Sequence, residues 1–181
     1  MHEWLAMKSR SAFVAALALA CTLGACSARY DWREVRGANA AFSVLLPDKP
    51  STQTRTVDLS GMAVSMTMTA AQVDGIVFAV GTAQLASDAA AQSALPWVKK
   101  ALLNNIHASV SEDKIVSIGK LTGNEVEARG TQSLHGRVVP VRLVVRLLAR
   151  DRQIYQVLVI GEEKAIPADA IDMFMSSFKL N

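Results

Sequence analysis

The stretch RVVPVRLVVRLLAR, residues 137–150, decides the fold of this 181-residue chain. Arg142, Arg146 and Arg150 recur at every fourth position, the spacing of one helix face. Val139, Val141, Leu143, Val145 and Leu147 recur at every second position, the spacing of one strand face. The strand reading prevails. Its apolar face is unbroken, and β-branched valines lose side-chain freedom in a helix. A turn at His135-Gly136 puts Val126, Ala128 and Leu134 of NEVEARGTQSL on that same face. A turn at Asp151-Arg152 adds Ile154, Leu158 and Ile160 of QIYQVLVIGE. Three strands that agree on one face make a meander. Their other face sets Glu125 opposite Arg146 and Glu127 diagonal to Arg142, which reads as a solvated face laced with ion pairs rather than an anion site.

Upstream, MAVSMTMTAAQV and IVFAVGTAQL flank Asp74-Gly75, the signature of a tight type I′ hairpin. With Val73 facing Ile76, the row Met62, Val64, Met66, Met68 lies beside Ala79, Gly81 and Ala83. Large residues against small ones form a groove-like surface suited to a helix. The methionines could hold a soft metal or an apolar ligand, but at period 2 on a strand they read as core. The segment 87–108 supplies the helix. Pro96 suits a first turn, so the main helix is expected over about 95–106, after a shorter helical piece. Its apolar stripe is Val98, Leu102, Leu103 and Ile106. KIVSIGKL, residues 114–121, reads as a strand, and PDKPSTQ, residues 47–53, as a loop. A last helix starts at Pro167 with Ala170, Ile171, Phe174 and Phe178 inward. Strands segregated from helices predict an α+β fold, a largely antiparallel sheet with one central and one C-terminal helix packed on it.

The N-terminus locates the protein. Lys8 and Arg10 precede an uncharged run, Ser11–Ala28, the plan of a secretory signal. Glu3 in MHEWLA sits badly in such a signal, so translation is expected to start at Met7. The run ends in Leu23-Gly24-Ala25-Cys26, which resembles the lipobox of bacterial lipoproteins. That resemblance implies acylation of Cys26 and removal of residues 1–25, Cys21 with them. Residues 26–40 are then a tether and residues 41–181 a single domain. Several acyl chains hold a protein on a bilayer where one holds it weakly, since each buried methylene contributes roughly 0.8 kcal/mol. Ser27 implies the outer membrane, with the inner membrane as the alternative, and the domain would face the periplasm. Two other readings are an uncleaved membrane span, for which the run is at the lower limit of length, and a cleaved signal with a fortuitous cysteine. Tyr30 and Trp32 suit a membrane interface or, preferably, a first strand that packs Trp32 on the core.

FSVLLPDKP, residues 42–50, and FMSSFKL, residues 174–180, are similar to the ends of Mog1/PsbP-like domains. That resemblance implies a small sheet with helices packed on it, in a superfamily mostly of binding or assembly modules.

The net charge of +3 is small and spread along the chain, so nucleic acid is not an expected partner. His107 and His135 have no Cys, His or carboxylate at metal spacing, and no nucleotide, metal or nucleophile motif is present. No cofactor is expected. The expected function is a non-catalytic envelope module, held on the bilayer by acylated Cys26 and binding an envelope protein or an apolar ligand. The alternative is an envelope hydrolase whose serine or carboxylate meets His107 or His135 only in the fold.

Overall fold

The structure is a computed structural model that describes residues 29–59, 61–134 and 136–181. The signal, the lipobox, Cys26 and His135 lie outside the described residues.

Among the described residues, ten strands and two helices follow in order: β1 (Arg33–Arg36), β2 (Phe42–Leu46), β3 (Ser51–Leu59), β4 (Met62–Val73), β5 (Ile76–Gln84), α1 (Asp88–Asn105), β6 (Ser109–Ile118), β7 (Leu121–Leu134), β8 (Arg137–Arg150), β9 (Gln153–Glu162), α2 (Ala168–Ser177) and β10 (Lys179–Leu180). A seven-stranded antiparallel sheet has the order β3-β4-β5-β9-β8-β7-β6, and a small sheet has the order β1-β2-β10. The fold is α+β with a mainly antiparallel sheet.

Residues 137–150 form a strand, and the registers are those of the alternation. Val126 pairs with Val145, Ala128 with Leu143, and Ile154 with Ala149. Val73 pairs with Ile76 across a turn in which Asp74 and Gly75 both have positive φ, 50° and 79°. Gly supplies the second of these at no steric cost, and Asp tolerates the first.

The large sheet is packed on both faces. On one face α1 lays Ala91, Ala94 and Val98 against Ala79, Ala83, Leu143, Val145 and Leu158. On the other, the small sheet and α2 bring Phe42, Val44, Leu46, Phe174 and Phe178 onto Phe78, Leu148, Tyr155, Val157 and Val159. Each face thus carries one helix among the described residues, and neither is wholly covered. This also explains why β9 is apolar along most of its length: it is buried on both sides.

Several expectations need correction. The folded unit begins before residue 41, because β1 pairs with β2 and both Tyr30 and Trp32 pack on the second core. Trp32 meets Phe78 edge-on at 5.9 Å, as the strand-core reading of this segment requires. Residues 51–53, expected in the loop, open the strand β3. The polar edge strand β3 pairs along its length with β4, and Thr54 and Thr67 share a hydrogen bond of 2.8 Å. The strand expected over 114–121 is two strands parted by a turn at Gly119 and Lys120. Finally, α1 is one continuous helix. Ser87 caps it, its Oγ accepting from the Ala90 amide at 3.1 Å. Pro96 sits inside it, where it denies the Gln92 carbonyl a donor, but both residues lie on the exposed side where water can substitute.

Candidate functional site

Helix α1 packs chiefly on β8 and β9 and touches β3 across the sheet, without filling the space between. The gap beside it is a groove of about 440 Å³. Val57 and Leu59 of β3, Met66 and Met68 of β4, and Val98, Ala101 and Leu102 of α1 line it, with Asp58 and Asn105 at its polar positions. Its volume falls within the range of small-molecule sites. The methionine row divides here. Met66 is core, Met68 is half-buried in the groove, and Met62 is exposed.

One buried polar side chain also lines this groove. Gln156 of β9 is 6% exposed, on the α1 face between Ile154 and Leu158. Its Nε2 donates to the Met68 sulfur at 3.2 Å, a weak acceptor, and this is its amide's one hydrogen bond among the described residues. Its oxygen is not among the buried unpartnered atoms, so the amide's remaining hydrogen-bonding capacity is open to the groove, for water or a ligand. The backbone opposite makes room for it. A Cβ on Gly81 would lie 2.6 Å from both the Gln156 amide nitrogen and the Met68 sulfur. Sequence reasoning passed over Gln156. The available signal was a lone amide in the otherwise apolar row Ile154, Leu158, Ile160.

Two larger hollows, about 520 and 490 Å³, lie at the turn end of the sheet, one around Asn39 and Arg152 and one around Ile118 and Leu180. The first has the buried Tyr155 in a mostly polar lining, and the second has no buried polar side chain in its lining.

The charged face is less solvated than its sequence implies. Arg146 Nε donates to Glu125 at 2.5 Å, while its Nη1 donates to the Met175 carbonyl of α2 at 2.7 Å. Arg142 donates to Glu127 at 2.7 Å, and Arg129 joins Glu127 to Glu163. Burial pushes the Glu125 carboxyl up, but hydrogen bonds from Arg146 and Lys114 outweigh it and hold the group below the ordinary carboxylate value. On the α1 face, the Lys99 hydrogen bond lowers the Asp113 carboxyl, burial opposing and Asn124 assisting. These carboxylates are already engaged, so the ladder is a structural lock between the sheet and α2.

The catalytic alternative names His107 and His135, of which the structure describes the first. His107 is exposed just beyond α1, with φ +48° and its amide bonded to the Asn104 carbonyl. Among the described residues, no three His, Cys, Asp or Glu side chains gather as a metal site. No helix among them is long and apolar enough to cross a membrane.

No protein-family model and no curated protein sequence matches this chain. Among solved structures it is similar to PA94, a protein of unknown function from Pseudomonas aeruginosa, at 12% identity and a TM-score of 0.39. The match covers 78% of this chain and 90% of that one. So distant a likeness carries no functional argument.

Proposed function

We propose that this chain is a bacterial envelope lipoprotein, tethered through acylated Cys26 to the outer membrane. Its periplasm-facing domain is a non-catalytic module that binds an apolar ligand in the groove between α1 and β4. The observation that carries the binding role is the groove itself, an apolar cleft with the underused Gln156 amide in its lining. The anchoring role is supported by the signal-like segment ending in Leu23-Gly24-Ala25-Cys26. The likeness of residues 42–50 and 174–180 to the ends of Mog1/PsbP-like domains is in keeping with a binding or assembly module.

Two measurements test this. Intact mass of the membrane-extracted protein beside a Cys26→Ser variant tests the anchor. A chain that begins at Cys26 and carries acyl mass absent from the variant supports it. Retention of residues before Cys26 without acyl mass points to a membrane span instead. Titration with the apolar fluorophore N-phenyl-1-naphthylamine tests the groove. One saturable site is expected, lost in Ala101→Trp while the unfolding midpoint stays unchanged. Binding that survives Ala101→Trp removes the groove as the site.

A further inference from the structure

We infer that the end of the domain bearing the β4–β5 turn is the surface apposed to the phospholipid bilayer, with the groove held away from it toward the aqueous side. This orientation rests on the lipidation of Cys26 proposed above. What it adds comes from where the chain joins the fold. The Tyr30 ring packs on Trp32 at 5.5 Å and on Phe78 at 6.2 Å. The Asp31 amide donates to the Pro47 carbonyl at 2.9 Å, and Arg29 pairs with Asp74 of the turn at 2.9 Å. Residues 29–32 are therefore fixed beside the β4–β5 turn. Cys26 precedes Tyr30 by four residues. Whatever its conformation, such a segment spans at most about 14 Å, at no more than roughly 3.6 Å per residue. An acyl chain on Cys26 brings the bilayer surface within that distance of Tyr30.

The register identifies the two ends. Gly161 lies against Ile76 and Ile166, so the β9–α2 connection carrying Lys164 is beside the β4–β5 turn. At the opposite end Gln84 pairs with Gln153, next to the turns at Asp151-Arg152 and Gly119-Lys120. From Ile76 to Gln84 the strand rises about 26 Å, and to Gly81, which faces Gln156, about 17 Å, at roughly 3.3 Å per residue. The groove thus stands above the near end, and its ligand arrives from the aqueous side. Charge does not hold this end down. Asp31, Asp48, Asp74 and Glu162 are exposed beside Arg29, Arg33, Lys49 and Lys164, so the described residues of the near end form no basic patch for anionic lipid. The tether alone sets the orientation, which should be insensitive to salt.

The test uses the acylated protein in vesicles of phosphatidylethanolamine and phosphatidylglycerol containing a headgroup-nitroxide lipid. Acylation blocks Cys26, and no other thiol follows it, so Lys164→Cys and Lys120→Cys each introduce one labelling site at an exposed position. A fluorophore at K164C should lose its emission to the nitroxide, one at K120C should not, and high salt should leave both unchanged. Equal quenching at the two positions, or stronger quenching at K120C, overturns the orientation when acyl mass is present in the same sample. Absence of acyl mass overturns the lipidation reading itself, and this orientation with it.

Discussion

The two faces of strand β5 carry opposite kinds of residue. Ile76, Phe78 and Val80 point to the α2 side, where Phe78 meets Phe174 edge-on at 5.5 Å and Phe42 stacks on Phe178 at 5.9 Å. Ala79, Gly81 and Ala83 point to the α1 side, where the partners are the alanines of a helix. Large rings interlock on their side of the sheet, and its hollows open only at one end, around Tyr155 and Phe178. Small residues leave space beside the helix, which packs chiefly on β8 and β9. One face is built for stability. The other keeps a cleft beside its helix, and the buried amide lies there.

The largest expected effect tests the face of interlocked rings. Phe174→Ala should destabilise the protein by about 3–5 kcal/mol in urea unfolding, as loss of a fully buried ring does. Leu102→Ala, at the margin of the groove, should cost only about 1 kcal/mol because the side chain is partly buried. Equal costs would break the contrast between the faces. Next comes Gly81→Ala. The new methyl must displace Gln156 and Met68, so a loss of roughly 1–3 kcal/mol is expected, together with loss of fluorophore binding in the groove. Unchanged binding would show that the amide's placement is irrelevant to the ligand. Ser87→Ala removes the α1 cap and should cost about 1 kcal/mol, read as a shift in urea midpoint at constant slope.

The smallest effect concerns pH, and each face has one pinned carboxylate. Glu125 on the α2 side and Asp113 on the α1 side are both held below their ordinary values. A depressed folded value means stability that is present above the unfolded carboxylate pKa, roughly 4, and lost as pH falls through the lower folded value. Urea midpoints from neutral pH downward should therefore fall less steeply in Glu125→Gln and Asp113→Asn than in the parent. Parallel curves would mean that neither pair senses the fold.

Much of this architecture was legible because its signals are local. The period of Val139–Leu147 needs no partner to be read, and Asp74-Gly75 sets its own register. The Glu125–Arg146 pair then follows from counting residues around turns. Strand β3 escaped because it is an edge, exposed along most of its length, so no alternation of polar and apolar residues marks it. The length of α1 escaped because Pro96 happens to face water, and only the tertiary arrangement says so. The opposite placement of the two helices depends on which strand β5 takes as neighbour, and nothing near residues 76–84 names β9. Gln156 was hidden for the same reason, since its meaning comes from Gly81 and Met68.

The β5–β9 pairing has a kinetic consequence. The β3–β5 strands and the β6–β9 meander are each built from successive neighbours, but the two are joined only where residues as distant in the chain as Gly81 and Gln156 meet. Closing so long a loop is the entropically expensive step, and it should limit the folding rate. Until β9 has been synthesised, β5 is an unpaired edge bearing Phe78 and Val80. That interval is when this chain is most prone to aggregate.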